Sequence, residues 1–350
     1  MELCKALGID YPILQGPMGG NLSTVQLAST ISKMGGLGAY GAYTMTPEEI
    51  IKVARDIREV TDKPFNLNLW VSNSDVPSGG VSDGEYAQIK TAFEPYFKEL
   101  GIDLPEKPTA LFPTFENQVQ AILDARPKVF SFIFGIPSPD ILEACRKKGI
   151  LTAGGATTLD EALALEAAGV DVIIASGFEA GGHRPSFLDS AEASLTGTFV
   201  LVQEIKNQVR IPVIATGGIA DGKGIAAALA LGADAAQLGT AFLACEESGA
   251  PPFYRQLLFQ EGARHTVLTR AFTGRLGRGL QNRVSREVKV NLPFPLQTKF
   301  MSTLRQAAIQ QEKWDLILIW SGQIAPMLRH TKAADLMKSL IQQSVPPHRK

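Results

Sequence analysis

The chain has 350 residues, 45% of them hydrophobic, and a mean hydropathy of +0.05, which places it among globular proteins with room for a large core and excludes a disordered, highly charged chain. Its 34 Lys plus Arg nearly balance 35 Asp plus Glu, so no global field recruits nucleic acid or an anionic membrane. The three cysteines, Cys4, Cys145 and Cys245, are far apart and lack metal-ligand spacing, which argues against a disulfide framework or a zinc site. Met1 to Asp10 lacks a secretory pattern and no long apolar run follows, so a soluble cytoplasmic protein is expected.

Tyr11 to Leu14 reads as a short strand ending in Gln15-Gly-Pro-Met-Gly-Gly20, and Ser23 to Met34 then has helical spacing with Ser23 or Thr24 as cap. Gly35 to Tyr40 is a second strand, followed by a helix opened by Thr46-Pro47-Glu48-Glu49. Phe65 to Val71 is the third, with Asn66 and Asn68 on one face because strand side chains alternate. From Ser72 to Phe112 the pattern breaks into a turn-rich run, Asn73 to Gly84, an amphipathic helix near Glu85 to Leu100 and a proline-containing loop. This reads as an insertion over the C-terminal mouth, in the manner of a lid or an oligomer contact.

Regularity returns with helix Glu116 to Ala125, strand Val129 to Phe134, helix Ser138 to Lys148, and strand Ile150 to Ala153 before Gly154-Gly155. Thr158 with Glu161 three residues on predicts a capping box at the start of a helix reaching Ala168. Asp171 to Ala175 is a fully apolar sixth strand that empties into Gly177-Phe-Glu-Ala-Gly-Gly-His183, a glycine hinge delivering one imidazole to the strand's mouth. A helix near Thr198 to Asn207, strand Ile211 to Ile219, helix Asp221 to Leu231 and strand Ala233 to Leu238 complete the series.

Eight strands alternating with helices predict an α/β fold, a (β/α)₈ barrel. An open doubly wound sheet is the competing topology, but Gly16 to Gly20 lacks its fingerprint spacing. The period is lost beyond Cys245, where helices near Pro251 to Gln260, Leu296 to Gln310 and Ala333 to Ser344 predict a smaller, mostly helical second lobe over 246–350 and a short basic tail at Pro346 to Lys350. The barrel accordingly occupies 1–245, with its insertion at about 72–112.

The glycine pairs Gly217-Gly218 and Gly239-Thr240, at the ends of strands seven and eight, fall where barrels bind phosphate: N–H groups can approach without Cβ obstruction, and a helix N-terminus adds positive potential. No strand-end lysine suits a Schiff base and no carboxylate cluster suits a metal. Flavin mononucleotide (FMN) fits this pattern, its phosphate at loops seven and eight and its ring against Gly16, Pro17, Met18, Asn68 and the loop of Gly181 and Gly182, with His183 beside it.

The chain resembles the nitronate monooxygenase family, formerly called 2-nitropropane dioxygenases, and within it the bacterial class with the E-A-G-G-H loop. The resemblance rests on Gln15-Gly-Pro-Met18, Gly35-Gly-Leu-Gly38, Phe65 to Leu69, Ser131 to Gly135, Glu179 to His183, Ile211 to Gly218, Asp221-Gly222, Gln237 to Thr240, Arg278-Gly-Leu-Gln-Asn-Arg283 and Trp320-Ser-Gly-Gln323. It implies a (β/α)₈ barrel that binds FMN and oxidises alkyl nitronates, such as propionate 3-nitronate, with O₂ to carbonyl compounds and nitrite. His183 matches the family's base; Asn68, Gly181, Gly217 and Gln237 to Thr240 match its flavin-binding positions. Two positions depart from the pattern: Ser176, where relatives commonly carry a long amide, and Phe134, where some carry His. The competing readings are a flavin-dependent enoyl-acyl-carrier-protein reductase, an NADH:quinone reductase, and a flavin-binding barrel without catalysis. A homo-oligomer is left open.

Overall fold

The structure is a computed structural model that describes residues 2–72, 80–108 and 112–344. The expected tail at Pro346 to Lys350 and the stretches 73–79 and 109–111 of the expected insertion lie outside these residues. The strands are β1 (Ile13–Gln15), β2 (Gly38–Gly41), β3 (Phe65–Trp70), β4 (Val129–Ile133), β5 (Leu151–Ala156), β6 (Val172–Ser176), β7 (Gly182–His183), β8 (Val213–Thr216), β9 (Ala235–Leu238), β10 (Thr266–Thr269) and β11 (Gly277–Leu280).

Eight of them form one parallel sheet in the order β1-β9-β8-β6-β5-β4-β3-β2. A parallel bridge between Leu14 and Leu37 joins its two ends, through Gln15 N–H to the Leu37 carbonyl (2.9 Å) and Leu37 N–H to the Ile13 carbonyl (3.0 Å). Among the described residues this sheet keeps no free strand edge, and it is a (β/α)₈ barrel as the alternation predicted. Where the sheet's inward face starts, Val129, Val172 and Ala235 pack with Leu3, Cys4 and Leu7, so the helix Glu2–Leu7 plugs the N-terminal end. With that end filled, the opposite mouth is where a ligand can enter.

Helix starts follow their caps. Thr24 accepts from the Leu27 N–H (2.9 Å), and Thr46 forms a full capping box with Glu49. The box expected at Thr158 is only half made: Thr158 accepts from the Glu161 N–H, but the Glu161 carboxylate turns elsewhere. It is fully buried and accepts from Thr157 N–H and Oγ1 (2.6 Å each) and from the Phe187 and Leu188 N–H groups. A cap partner that can satisfy four donors in the interior is held there, because an unsatisfied buried carboxylate costs far more than a lost cap bond.

Beyond the barrel, the helix Ala333–Ser344 returns to pack against Gly222–Ala230 and Val25–Lys33, the helices of the seventh and first βα units. The described part of the insertion is a helix, Asp83–Leu100, and its packing partner is the helix Leu296–Gln310. Phe300 supplies the contact: fully buried, it meets the rings of Tyr86, Phe93 and Phe97 at centroid distances of 5.9, 5.3 and 5.5 Å. The loss of this ring leaves a cavity between the two helices, so Phe300→Ala is expected to lower stability by about 3–5 kcal/mol, read as an earlier urea midpoint.

Candidate active site

The imidazole of His183 is delivered by a loop that is tied down along its length. Leaving β6 at Ser176, the chain passes Gly177 to Gly181 and returns as β7, which pairs antiparallel with β11, Gly277 opposite His183. Arg184 follows and is only 2% exposed. Its Nη1 donates to the carbonyls of Ser176 (2.9 Å) and Gly177 (2.7 Å), and its Nη2 to that of Ser194 (2.6 Å). Burial pulls its pKa down to about 10, which still leaves it cationic at neutral pH. The Glu179 carboxylate accepts from Thr198 N–H (2.9 Å) and Oγ1 (2.8 Å), at the start of the helix Thr198–Lys206. Arg278 donates from Nε to the Phe178 carbonyl (3.1 Å), its guanidinium 4.2 Å from the Phe178 ring centroid. Gly181 permits the last close approach, since a Cβ there would lie 2.5 Å from the Gly322 nitrogen.

This loop forms one side of a cleft at the barrel mouth. The cleft brings together Gly16, Pro17 and Met18 after β1, Asn68 on β3, Gly181 to His183, Gly217 and Gly218 after β8, and Gln237, Gly239 and Thr240 at the end of β9. The candidate catalytic and cofactor-binding residues named from the sequence therefore all border one space. Gly217 has a φ of 110°, which L side chains rarely adopt, and among the described residues the N–H groups of Gly217, Gly218 and Gly239 have no protein acceptor. A Cβ on Gly239 would meet no atom within 4 Å. Gln237 Oε1 is buried without a donor among the described residues. Asn68 Nδ2 donates to Ser131 Oγ (3.0 Å), which Asn66 also reaches (2.9 Å), while Thr240 Oγ1 accepts from the Gly322 N–H (2.9 Å).

The model of the nitronate monooxygenase family matches residues 1–343. The chain belongs to that family. It is 40% identical over 346 residues to the nitronate monooxygenase of Paraburkholderia phytofirmans, covering 97% of this chain and 93% of the relative. It is 36% identical over 349 residues to a probable nitronate monooxygenase of Staphylococcus haemolyticus, covering 98% and 96%. Among solved structures, it is similar to a nitroalkane oxidase from Streptomyces ansochromogenes, with a TM-score of 0.89, 35% identity and 98% of each chain covered. FabK from Thermotoga maritima is also similar, with a TM-score of 0.75, 29% identity and 98% and 95% covered.

Three aromatic walls of this family member's cleft were not singled out from the sequence. Tyr43 and Trp70 stack with centroids 3.6 Å apart and an interplanar angle of 4°. Trp70 then meets His183 edge to face at 5.0 Å, and Trp320 covers the imidazole at 4.7 Å. A signal existed for Trp70, which shares the inward face of β3 with Asn66 and Asn68, and for Trp320, which opens the Trp-Ser-Gly-Gln motif. Of the two departures, Ser176 ends β6 at the cleft, buried, with its carbonyl on Arg184. Phe134 adopts a φ of 64°, an outlier for a bulky residue. Its ring is held edge to face by Trp70 (4.9 Å) and under the Arg275 guanidinium (3.9 Å).

These walls set the protonation of His183. Burial, and second the positive charge of Arg275, push its pKa down to about 3, far from the ordinary value of 6.5. The ring is neutral throughout the neutral range, with a lone pair in place but a weaker affinity for a proton than a free imidazole has. Between pH 6.5 and about 3 the unfolded chain protonates this residue and the folded one does not, so its contribution to stability falls as pH falls through that window. The difference in urea midpoint between the wild type and His183→Gln is therefore expected to change between pH 7 and 5, the wild type losing more on acidification.

Proposed function

We propose that the chain is an FMN-dependent nitronate monooxygenase that oxidises alkyl nitronates with O₂ to carbonyl compounds and nitrite. The observation that carries this reading is an imidazole walled by aromatic rings, facing a cleft whose floor offers N–H groups and an amide oxygen that have no partner among the described residues. These features fit FMN: the N–H groups of Gly217, Gly218 and Gly239 suit a phosphate, and Gln237 Oε1 suits the N–H edge of a flavin ring. When bound, the flavin supplies the redox chemistry between the organic substrate and O₂.

The residues do the rest. Tyr43, Trp70 and Trp320 present apolar faces that exclude water and receive an alkyl chain. A nitronate arrives already deprotonated and asks no proton transfer of the site. A neutral nitroalkane must first give up its α-proton, and His183 is the group placed to take it, in keeping with its low basicity as a slower reaction. The Streptomyces neighbour, a nitroalkane oxidase, supports this chemistry, and its TM-score exceeds that of FabK.

Oxygen uptake and nitrite release with propionate 3-nitronate test the reading directly. His183→Asn is expected to retain bound FMN and nitronate turnover and to lose nitroalkane turnover by at least about 100-fold, the usual contribution of a positioned base; unchanged nitroalkane kinetics would remove His183 from the reaction. In a separate experiment, anaerobic mixing with NADH is expected to leave the flavin oxidised, whereas rapid bleaching favours a reductase.

A further inference from the structure

We propose that Thr273 is a positioning residue that fixes the tautomer of His183, holding the ring proton on Nε2 and leaving Nδ1 as the lone pair that serves the cleft. The inference rests on the reading of His183 as proton acceptor and extends it from the residue to a single atom. Thr273 Oγ1 lies 2.9 Å from His183 Nε2 and 3.1 Å from the Arg275 carbonyl oxygen. A hydroxyl has one proton to give, and a carbonyl can only accept. The proton therefore goes to Arg275, and the hydroxyl turns a lone pair toward Nε2, which must carry hydrogen to complete the contact. The reverse arrangement sets the lone pairs of two oxygens against each other at 3.1 Å. A neutral imidazole has one ring proton, so Nδ1 is left bare.

Among the described residues no other acceptor for a ring N–H is recorded, and the guanidinium of Arg275, which acts on the ring through its charge, can only donate. The aromatic neighbours of the imidazole are the rings of Trp70, Phe134 and Trp320, which offer faces and edges but no acceptor for an N–H in their planes. Among the described residues, Thr273 is the hydrogen-bond partner of the imidazole. Thr273 itself is placed by backbone. Gly274, at a φ of 83°, donates its N–H to the Arg270 carbonyl (2.8 Å), and a Cβ there would lie 2.4 Å from the Leu292 carbonyl oxygen. Thr298 Oγ1 donates to the Thr273 carbonyl (3.4 Å). The hydroxyl is thus presented to His183 by a turn that does not depend on the imidazole.

In the proton transfer, the α C–H bond of a nitroalkane breaks, its electron pair stays on the substrate as the nitronate, and the proton joins Nδ1. The imidazolium formed keeps its Nε2–H on Thr273, so the ring need not turn before or after the step. Removing the hydroxyl frees the ring to populate the other tautomer, in which Nδ1 carries the proton and cannot accept one.

Ring nitrogens of the full-length chain, as purified and labelled with ¹⁵N-histidine, report the tautomer in long-range ¹H–¹⁵N correlation spectra. With four histidines in the sequence, His183 is assigned by its loss in His183→Gln. The expected result is an Nε2–H pattern in the wild type and in Thr273→Ser, and its replacement by the Nδ1–H or an averaged pattern in the near-isosteric Thr273→Val. In turnover, Thr273→Val is expected to lower kcat for nitroethane about tenfold, the worth of one lost hydrogen bond to a group gaining charge, with KM and nitronate turnover little changed, and Thr273→Ser is expected to recover most of the loss. An Nδ1–H wild type overturns the proposal even if the valine variant fails to fold, as do ring signals unaltered by Thr273→Val. Should the Nε2–H pattern hold while His183→Asn still turns over nitroalkanes, the tautomer assignment stands and the reading of His183 as base falls.

Discussion

Arg184 carries its charge into a site that is 2% exposed, and the carbonyl oxygens of Ser176, Gly177 and Ser194 are what hold it there. Among the described residues it forms no ion pair, so a charge that is expensive to bury depends on those oriented dipoles, with the carboxylates of Glu161 and Glu179 acting at longer range. The geometry of the mouth follows from this. The three carbonyls belong to the end of β6 and to the segment before the helix Thr198–Lys206, and the guanidinium spans them from the residue next to His183. A planar fork of donors suits carbonyls that diverge in this way, which a lysine ammonium does not replace. The imidazole is thereby tied to the barrel through its own backbone neighbour.

The barrel was legible because its strands are short apolar runs closed by glycine and separated by helices with recognisable caps. β6 is the clearest case, and the cleft residues after β1, β6, β8 and β9 could be named because strand ends and glycine loops coincide there. What escaped has a common physical cause. β7 is two residues long and β11 carries two glycines, so neither has a period to detect; they exist because they pair with each other across a sequence separation of more than 90 residues. Gly277 is needed for packing, since a Cβ there would fall 2.7 Å from the Trp320 ring. Thr273 lies in the turn between β10 and β11 and shared this invisibility. Glu161 was read from its spacing as a cap, and a long-range demand from the Phe187 and Leu188 N–H groups redirected it.

The cleft also shows how one environment can serve two ends. The aromatic rings that wall the cleft are the same rings that crowd His183 and weaken its hold on a proton, and Arg275, seated on Phe134, reinforces the effect. On the proposed reading, a site of this kind suits a deprotonated substrate, which requires no strong base.

The bridge between Leu14 and Leu37 and the pairing of β1 with β9 bring a different consequence, for the order in which the chain can fold. β1 finds its far neighbour only after residues 235–238 have been made, and the helix Ala333–Ser344, which lies over that seam, arrives almost a hundred residues later still. Until then the growing chain exposes two parallel strand edges with unpaired backbone groups, the kind of surface on which nascent chains associate wrongly. Closure of the ring is a long-range event whose entropy cost is met late, so the barrel can be completed only after most of the chain has been made.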